Sequence, residues 1–488
     1  MKNKKIIYGA VLTALMSFSA LTGCGANNAE DKYDKDGRLI LNLKNVYFDQ
    51  WQGEDMYTDI INEKFGVSIK ASNYAYEDWD TMVNTAINGN NLTDTIQFNL
   101  KAYNFGSTYE SWVDFGMLKP LPDNMSKWPE LKKMLDGISN IDSLKIDGKL
   151  YGIPIANDIT NPQKDFSNFT YVYRRDWAKK IDEMYPDREP VYREGDVYTW
   201  DEFNRLCDAF NTNIKELSGM NQASVLVDEE WAFPSVTNFY KDAPHCYAKD
   251  DSGKAIANFA GEKYLQGLEA AKSLVSDKKV YSQDQYNFAP NKANQLYLGG
   301  QAAILYDNYS LANYIKLRKL FKASQKYVDL DDGTAFLKIK GPDGKFALEG
   351  TENWFSMTMF NADISDKKQE KILDILDYLL TEEGTRLAIY GKEGYDYSIV
   401  DGKVVLSEMG WEKDSMTGQY ATKTNGAKYL RYMATLGNDT KSFDPFTEQD
   451  AYQLLTKWQE EMKTAKAAGD LRVVKEPADI SWMSTPTK

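Results

Sequence analysis

The sequence predicts an α/β protein with more than one domain. Its 488 residues exceed what a single compact core supports, and 42% of them are hydrophobic, which is enough to build two cores. Beyond residue 38, segments that alternate apolar and polar residues are followed by segments with helical spacing. The order strand, helix, strand, helix, strand is typical of an open sheet with helices on both faces.

The first elements follow from residue spacing. Residues 39–43 alternate leucine with polar residues and predict a strand, and residues 54–65 have the spacing of a short amphipathic helix. Residues 67–71 alternate again, residues 79–87 present one apolar helix face, and residues 95–98 predict a third strand.

Two loops are placed to reach a ligand. Ligands of open α/β sheets sit outside the carboxyl ends of the strands. Residues 48–53 follow the first strand and residues 99–106 follow the third, so both loops are expected at that edge.

The N-terminal segment has the layout of an export signal. A basic start at residues 1–5 precedes an apolar run over residues 6–21. This run is shorter than a comfortable membrane span, which needs about 20 apolar residues. The segment therefore predicts export of the protein rather than a membrane-spanning helix.

The four residues that end this run, LTGC at 21–24, resemble a bacterial lipobox. The resemblance implies cleavage before Cys24, diacylation of its thiol and a lipid anchor in the membrane. The alternative is an ordinary signal peptide with a chance cysteine. We expect a signal peptide at residues 1–23 and an anchor with a flexible tether at residues 24–37, because that segment is polar and lacks periodicity.

The chain is acidic, with a formal net charge of −14. Removing the three lysines of the signal segment takes the charge to −17. An acidic body without a basic run argues against nucleic acid as a partner.

Cysteine and histidine content restricts the chemistry. His245 is the only histidine and no CxxC pair occurs, so we expect no metal site, no cofactor and no Ser-His-Asp catalytic set. Cys207 lies in a helical pattern and is expected to be buried. A disulfide between Cys207 and Cys246 is left open, because two cysteines define no framework.

Five short stretches occur in an order that resembles a known family. They are GKLYGIP at 148–154, YVYRRDW at 171–177, YTWDEF at 198–203, LGGQAA at 298–303 and LDYLLTEEG at 376–384. The set is similar to family 1 of the extracellular solute-binding proteins of ABC importers, which includes maltose-binding protein. The stretch YGKEGYDY at 390–397 is similar to the long Gram-positive lipoproteins of that family, often called LipO-like.

The resemblance implies a periplasmic-binding-protein-like fold of type II. Such a fold has two lobes of mixed sheets flanked by helices, with a hinged ligand cleft between them. By that pattern, residues 38–155 plus 350–394 form lobe one, and residues 156–349 plus 395–488 form lobe two.

The resemblance also implies a function without a catalytic step. The protein is expected on the extracellular face of a Gram-positive-type cell membrane, as the lipid-anchored binding subunit of an ABC importer. It is expected to act as a monomer that captures a carbohydrate, most simply an oligosaccharide, and delivers it to the membrane permease.

Aromatic residues are abundant, with 32 Tyr, 21 Phe and 11 Trp. Aromatic rings pack on the apolar faces of sugars, while a few placed polar groups bond the hydroxyls. We expect ligand contacts at the ligand ends of strands and, from family positions, at Trp231 and Trp354. The predicted contacts are Asp49, Gln50, Trp51, Asn99, Trp231, Tyr306, Asp307 and Trp354.

These residues also have structural interpretations. A tryptophan in so aromatic a chain is often a core residue, and Asp49 and Asp307 are suited to capping helices or turns. Trp51 is favoured as a ligand contact only because its neighbours Gln50 and Gln52 are not core-like.

Other motifs predict structure rather than binding. Thr199 and Glu202 fit a capping box at a helix start. Four tryptophans lie in amphipathic patterns or beside turn prolines and are expected in the core, namely Trp79, Trp112, Trp128 and Trp177.

Two other function classes stay open. An exported glycoside-active enzyme would need a pair of carboxylates across a sugar site, and among 72 acidic residues a pair can always be named. A surface carbohydrate sensor would share the fold and differ only in its membrane partner. The sequence specifies neither the sugar nor its chain length.

Overall fold

The structure, a computed structural model, describes residues 31–474 apart from a set of short gaps. The gaps are residues 49–50, 76–77, 90, 100–104, 139–140, 157–165, 222, 230–234, 242–246, 251, 258–260, 277–279, 282–290, 310, 326–329, 351–353, 414–419, 423–425 and 435–448. The predicted signal peptide and Cys24 lie outside the described residues.

Strands and helices alternate through most of the described chain. The strands are β1 (Leu39–Lys44), β2 (Val67–Ser72), β3 (Thr95–Asn99), β4 (Leu118–Lys119), β5 (Gly152–Ala156), β6 (Phe169–Arg174), β7 (Val197–Tyr198), β8 (Ser224–Asp228), β9 (Tyr247–Lys249), β10 (Ala255–Ala257), β11 (Ala302–Asn308), β12 (Thr334–Ile339), β13 (Phe346–Glu349), β14 (Trp354–Asn361), β15 (Tyr397–Val400), β16 (Lys403–Leu406), β17 (Trp411–Lys413), β18 (Tyr420–Thr422) and β19 (Leu471–Val474). The helices are α1 (Met56–Phe65), α2 (Trp79–Asn88), α3 (Phe105–Asp114), α4 (Pro129–Asp136), α5 (Arg175–Met184), α6 (Trp200–Ser218), α7 (Glu262–Ser276), α8 (Lys292–Leu298), α9 (Leu311–Gln325), α10 (Leu330–Gly333), α11 (Asp366–Leu380), α12 (Glu382–Tyr390), α13 (Gly426–Ala434) and α14 (Gln449–Ala467). The predicted order of the first five elements is confirmed.

Lobe one is built on a sheet of order β2-β1-β3-β14-β4, with β5 also paired to β14. Strand β1 runs parallel to β2 and β3, whereas β14 runs antiparallel to β3 and β5, so the sheet is mixed. Leu39, Leu41 and Leu43 are buried and the residues between them are half-buried. The alternation of apolar and polar residues that predicted β1 therefore reflects burial of one face of the strand against the core.

Lobe two is built on a second mixed sheet of order β7-β12-β6-β11-β8. Strand β6 runs antiparallel to β11 and β12, and β11 runs parallel to β8. Tyr171 and Tyr173 on β6 pack in one hydrophobic cluster and Val172 packs in another. Both faces of this sheet are therefore covered, as the predicted fold class requires.

Local capping explains where the helices start. Asp55 precedes α1 and accepts bonds from the backbone amides of Tyr57 and Thr58. The predicted capping box is confirmed at the start of α6, where the Glu202 amide donates to the Thr199 hydroxyl (3.3 Å) and the Thr199 amide donates to the Glu202 carboxylate (2.9 Å).

The chain crosses between the lobes after β5, before β14 and between α13 and α14. Phe166 forms a bridge with Gly350, and the Ser167 amide donates to the Glu349 carbonyl at 2.8 Å. The first two crossings therefore run side by side where they enter lobe two.

The late part of the chain is divided between the lobes. Tyr429 and Leu430 of α13 are buried in the lobe-one core, and Asp396 accepts a bond from the Tyr57 hydroxyl of lobe one at 3.0 Å. Trp458 of α14 is buried in lobe two. The expectation that residues 395–488 all belong to lobe two is thus corrected, because the apolar face of α13 packs against α1 and α12.

The N-terminal residues 31–37 are attached to lobe one. Asp31 accepts a bond from the Ser365 hydroxyl at 2.6 Å, and Lys367 donates to the Tyr33 hydroxyl at 3.0 Å. Tyr33 also forms a bridge with Leu39 at the start of β1. The predicted tether over residues 24–37 is therefore too long at its C-terminal end, since these contacts hold its last residues on the sheet.

The tryptophans expected in the core are buried there, which confirms their structural interpretation. They are Trp79, Trp112, Trp128 and Trp177. Cys207 is fully buried on α6, as its helical pattern indicated. Cys246 lies outside the described residues, so the question of a Cys207–Cys246 disulfide stays open.

Candidate functional site

Strand direction decides which edges of the two sheets face each other. In lobe one, β14 begins beside the end of β3, because Ser356 pairs with Asn99. In lobe two, Asn308 at the end of β11 pairs with Phe169 at the start of β6. The chain crosses between the lobes from these two edges. The carboxyl edges therefore lie toward each other, at the position where open α/β sheets bind ligands.

Asn99 and Asp80 form a polar pair on the lobe-one edge. Asn99 ends β3 and is half-buried, and its side chain is hydrogen-bonded to the Asp80 carboxylate in the first turn of α2. Burial raises the pKa of Asp80, and the bond to Asn99 opposes that rise. The sequence predicted Asn99 as a site residue but missed Asp80.

Aromatic side chains lie next to this pair. The Trp79 indole donates to the Gln97 carbonyl at 2.9 Å and to the Tyr74 hydroxyl at 3.2 Å. The Tyr47 ring lies edge-on to Trp79, with centroids 6.1 Å apart, and packs against Tyr432 at 5.3 Å. Tyr47 and Tyr432 are half-buried, whereas Tyr74 and Trp79 are buried. The two half-buried rings therefore leave apolar surface at this edge.

On lobe two, the Tyr306 side chain is part of a buried polar network. Its hydroxyl accepts a bond from the Asn238 amide at 3.1 Å, and the same amide donates to Glu349 at 3.1 Å. Burial raises the pKa of Tyr306 well above its ordinary value, so the hydroxyl stays protonated. Tyr306 thus lies at the predicted edge, but its ring belongs to the core, and its hydroxyl is tied to the segment that crosses to lobe one.

Asp307 is half-buried and shares a partner with Glu229. The Asn294 side-chain amide donates to Asp307 at 2.8 Å and to Glu229 at 2.5 Å, and the Asn294 backbone amide donates to Glu229 at 3.0 Å. One amide therefore holds two carboxylates from the ends of the neighbouring strands β8 and β11. The result is an acceptor-rich surface that suits hydroxyl donors.

Among the described residues, four buried side-chain oxygens have no hydrogen-bond partner. They belong to Asp80, Gln97, Asn238 and Tyr309. Gln97 lies on β3 near its carboxyl end, and Tyr309 directly follows β11. Leaving a buried polar group unsatisfied costs about 1–3 kcal/mol, so such groups concentrate where function requires them. Two of the four residues thus lie just beyond a strand, because Asp80 is in the first turn of the helix after β2 and Tyr309 follows β11.

Metal-binding clusters and membrane-spanning helices are absent from the described part of the chain. No group of three or more His, Cys, Asp or Glu side chains there is placed to hold a metal ion. Within the same residues, no helix combines the length and hydrophobicity of a membrane span.

Residues 57–388 match the family described as bacterial extracellular solute-binding protein. The chain belongs to this family. The match covers more than half of the sequence and includes parts of both lobes.

Solved structures of solute-binding proteins share the two-lobed fold. An alginate-binding protein, AlgQ2, is 14% identical over 91% of this chain and 92% of its own, with a TM-score of 0.55. The S. pneumoniae substrate-binding protein FusA, in complex with kestose, is 15% identical over 87% and 83%, with a TM-score of 0.56. An extracellular solute-binding protein from Bifidobacterium longum subsp. infantis is 14% identical over 89% and 84%, with a TM-score of 0.58. No curated protein sequence matches this chain.

In this solute-binding protein, Trp51 lies in the core of lobe one. It is 7% exposed, stacks on Tyr429 with centroids 5.4 Å apart, and meets Phe48 edge-on at 4.7 Å. Its indole donates to Asp55, the cap of α1, at 2.5 Å. The predicted ligand contact at Trp51 stays a prediction, and in this structure Tyr429 of α13 covers its ring.

Trp354 begins β14 and is also buried, opposite Ala156 of β5. Its position at a crossing agrees with the family pattern, but its ring packs in the lobe-one core. Asp49, Gln50 and Trp231 lie outside the described residues, so their roles stay predictions.

The structure adds four residues to the edges of this solute-binding protein that the sequence did not single out. They are Tyr47, Asp80, Asn238 and Tyr432. Asp80 had one available signal, since the first turn of a helix after a strand lies at the carboxyl edge. Tyr432 had none, because α13 is distant in sequence from the strands it joins.

Proposed function

We propose that the protein is the substrate-binding subunit of an ABC importer and binds a neutral oligosaccharide between its two carboxyl edges. The proposal rests on the residues of the two carboxyl edges. One edge has half-buried tyrosines, and both edges have carboxylates and amides. Membership of the solute-binding family supports capture of a solute. The ligands named for two structural neighbours support a saccharide, and kestose, unlike the polyanion alginate, is a neutral one.

The edge residues fit the chemistry of a sugar ring, which has apolar faces and a rim of hydroxyls. Tyr47 and Tyr432 supply flat apolar surface, while Asp80, Asn99 and Asp307 supply hydrogen-bonding groups. Pockets for small ligands combine apolar walls with a few placed polar groups in this way. The carboxylates also disfavour a polyanionic ligand, because like charges repel strongly away from bulk water.

We propose contacts to the ligand from both lobes. The proposed contacts are Tyr47, Asp49, Gln50, Asp80, Asn99, Trp231, Asp307 and Tyr432. Trp51, Tyr306 and Trp354 are buried, so we assign them a supporting role behind the edge.

The proposed cycle contains no chemical step. The lobes close on the ligand about the crossing segments and present it to a membrane permease. An exported glycoside-active enzyme would instead consume the sugar, and a surface sensor would bind it without transport. A monomer suffices for the proposed cycle.

We further propose that Cys24 carries a lipid anchor on the extracellular face of the cell membrane. The support is the lipobox-like sequence at 21–24 and the extracellular character of the family.

The function is tested with residues 25–488 and a panel of maltotriose, kestose, raffinose and chitotriose in a thermal-shift assay. A sugar at 100 times its Kd stabilises the folded state by about 2.7 kcal/mol. For lobes of this size that corresponds to a rise in melting temperature of roughly 5–10 °C. Mass spectrometry of the recovered sugar separates binding from turnover. A cleaved product would favour the enzyme, and no shift with any saccharide would contradict a carbohydrate ligand.

Asp80→Asn gives the sharpest variant for this proposal. It keeps the shape of the side chain but removes the charge that would accept a ligand hydroxyl. We expect at least a tenfold loss of affinity, equivalent to about 1.4 kcal/mol, without loss of apo stability, since it also removes a partly buried charge. Asp377→Asn on α11 is the matched control, because burial raises the pKa of Asp377 too and it lies outside the proposed contacts. Equal affinities for the two variants would remove Asp80 from the site.

A further inference from the structure

A cavity of about 290 Å³ lies at the β12 side of the lobe-two sheet. Strand β7 pairs only with Lys338 and Ile339, and no other strand of the described chain pairs with β12 on that side. The residues of β12 before Lys338 therefore form the floor of the cavity. In the sheet order β6 separates β12 from β11, so the floor is two strands, or about 10 Å, from the strand that carries Asp307.

Two residues in the left-handed conformation keep the chain away from this part of β12. Gly195 has a φ of 75° and Asp196 has a φ of 57°, directly before β7 begins. This conformation is uncommon for residues other than glycine, although aspartate tolerates it better than most. The Asp196 carboxylate accepts bonds from Arg175 Nε at 3.0 Å and from the Tyr173 hydroxyl at 2.5 Å. The turn is therefore fixed by an ion pair in the cavity wall.

Helix α14 forms the opposite wall of the cavity. The residues that line it are Leu454, Lys457, Trp458 and Glu461, which have the spacing of one helix face. The Lys338 ammonium group on β12 donates to the Glu461 carboxylate at 2.6 Å. This second ion pair joins the floor of the cavity to the helical wall.

Aromatic rings form the apolar surface of the cavity. Phe336 on β12 stacks on Tyr314 with ring centroids 4.5 Å apart and packs against Trp458 at 5.5 Å. These three residues are buried and line the cavity, and the half-buried Tyr192 adds a ring on the side of the turn. Apolar walls with a few placed polar groups are typical of small-molecule pockets.

The charged groups that line the cavity leave a net charge of +1. Arg175, Lys338 and Lys457 are cations, whereas Asp196 and Glu461 are anions. Two of the cations are held in the ion pairs described above, while no ion pair joins Lys457 to an acid within the described residues. The chain as a whole carries a formal charge of −14, so a cationic cavity differs from the average of the molecule.

We propose that this cavity is a second binding site, for a small organic acid whose single carboxylate bonds Lys457 and whose ring packs against the aromatic wall. One negative charge matches the net charge of the cavity, and bonds between an ammonium group and a carboxylate are strong. The volume is at the lower end of the range for small-molecule pockets, about 300–1,000 Å³, which suits a single six-membered ring. A sugar acid and an aromatic acid share this chemistry.

The site is tested with residues 25–488 by saturation-transfer NMR titrations of two acids and their neutral counterparts. D-glucuronate is compared with D-glucose, and benzoate is compared with benzyl alcohol. We expect at least one acid to bind, at least tenfold more tightly than its neutral counterpart, because the neutral compound lacks the carboxylate. The acid that binds distinguishes the sugar class from the aromatic class. Binding by neither acid would overturn the proposal.

Lys457→Gln shows whether the acid binds in this cavity. The substitution removes the charge but keeps a polar side chain of similar length, so the affinity for the acid should fall about three- to tenfold. Lys463→Gln is the matched control, because Lys463 lies on the same helix, pairs with Glu460 at 2.7 Å and does not line the cavity. This control should stay within about twofold of the wild type. Equal affinities in the two variants would overturn the proposal.

Leu454→Trp fills the cavity and separates it from the cleft. Leu454 is half-buried in the cavity wall, so the larger side chain should weaken binding of the acid at least tenfold, and any sugar of the earlier panel should bind as it does to the wild type. Asp80→Asn should leave the affinity for the acid unchanged. Unchanged acid binding in Leu454→Trp, or its loss in Asp80→Asn, would refute the second site. Failure of every sugar to bind would contradict only the proposed function of the cleft.

Discussion

The substitution Trp51→Ala distinguishes a core residue from a ligand contact. Trp51 is 7% exposed, and its ring contacts Tyr429 and Phe48 on two sides. A core Trp→Ala substitution costs about 3–5 kcal/mol, because buried apolar area is lost and a cavity remains. The free energy of unfolding of the apo protein should fall by that amount. For lobes of this size the melting temperature should fall by roughly 6–20 °C.

The hydrogen bond of Trp51 sets a second, smaller effect. Trp51→Phe keeps most of the ring packing but removes the indole donor to Asp55, which still accepts from Thr58. A hydrogen bond to a charged group contributes about 1.5–3 kcal/mol, so the phenylalanine variant should lie between the wild type and the alanine variant. Thermal unfolding of the two apo variants followed by circular dichroism, alongside the wild type, gives this order.

One result would refute the packing argument. That result is a Trp51→Ala variant that melts within about 2 °C of the wild type and loses at least tenfold in sugar affinity. The Trp51 ring would then contact the ligand and would not be buried in the state that binds sugar. If both stability and affinity fall, isothermal titration well below the melting temperature of the variant separates the two effects.

Three further predictions follow from the site, the caps and the N-terminus. Arg193 donates a hydrogen bond to Glu202 and, together with Thr199, lowers the pKa of Glu202 from 4.5 to about 2. Glu202→Gln should therefore lower the melting temperature at pH 7, and this loss should shrink as the pH falls from about 4.5 toward 2. Equal deficits at pH 7 and pH 3 would contradict the ion pair as the cause. Saturating sugar should reduce the radius of gyration in solution scattering, and an unchanged radius would count against closure. Cys24→Ala should move the protein out of the membrane fraction or leave it unprocessed, whereas an unmodified wild-type Cys24 would exclude the anchor.

Local features of the fold could be predicted from the sequence because their causes are local. The capping box needs only Thr199 and Glu202, which are three residues apart, and β1 needs only the leucine alternation at 39–43. The family motifs added the two-lobed architecture, which no single motif specifies.

The environment of a side chain was less predictable, because distant residues create it. Trp51 has polar neighbours in sequence, yet Tyr429 of α13 covers its ring. The same helix brings Tyr432 against Tyr47 and contributes to the proposed site. Residue spacing near residue 50 contains no information about a helix near residue 430, so both the burial of Trp51 and the role of Tyr432 required the folded structure.

The attachment of residues 31–37 decides which way an anchored molecule faces. Asp31 and Tyr33 contact Ser365, Lys367 and the start of β1, at the amino edge of the lobe-one sheet. The chain therefore leaves the body on the side opposite the cleft. From Cys24, the proposed anchor, the chain to Asp31 spans seven residues and reaches about 25 Å at most, even fully extended.

If Cys24 carries the proposed lipid anchor, a link of this length would hold the amino edge of the lobe-one sheet near the bilayer and turn the carboxyl edges away from it. Delivery of the ligand to a membrane permease would then require the body to rotate about this linker. Release of the contacts at Asp31 and Tyr33 would lengthen the linker and increase the range of that rotation.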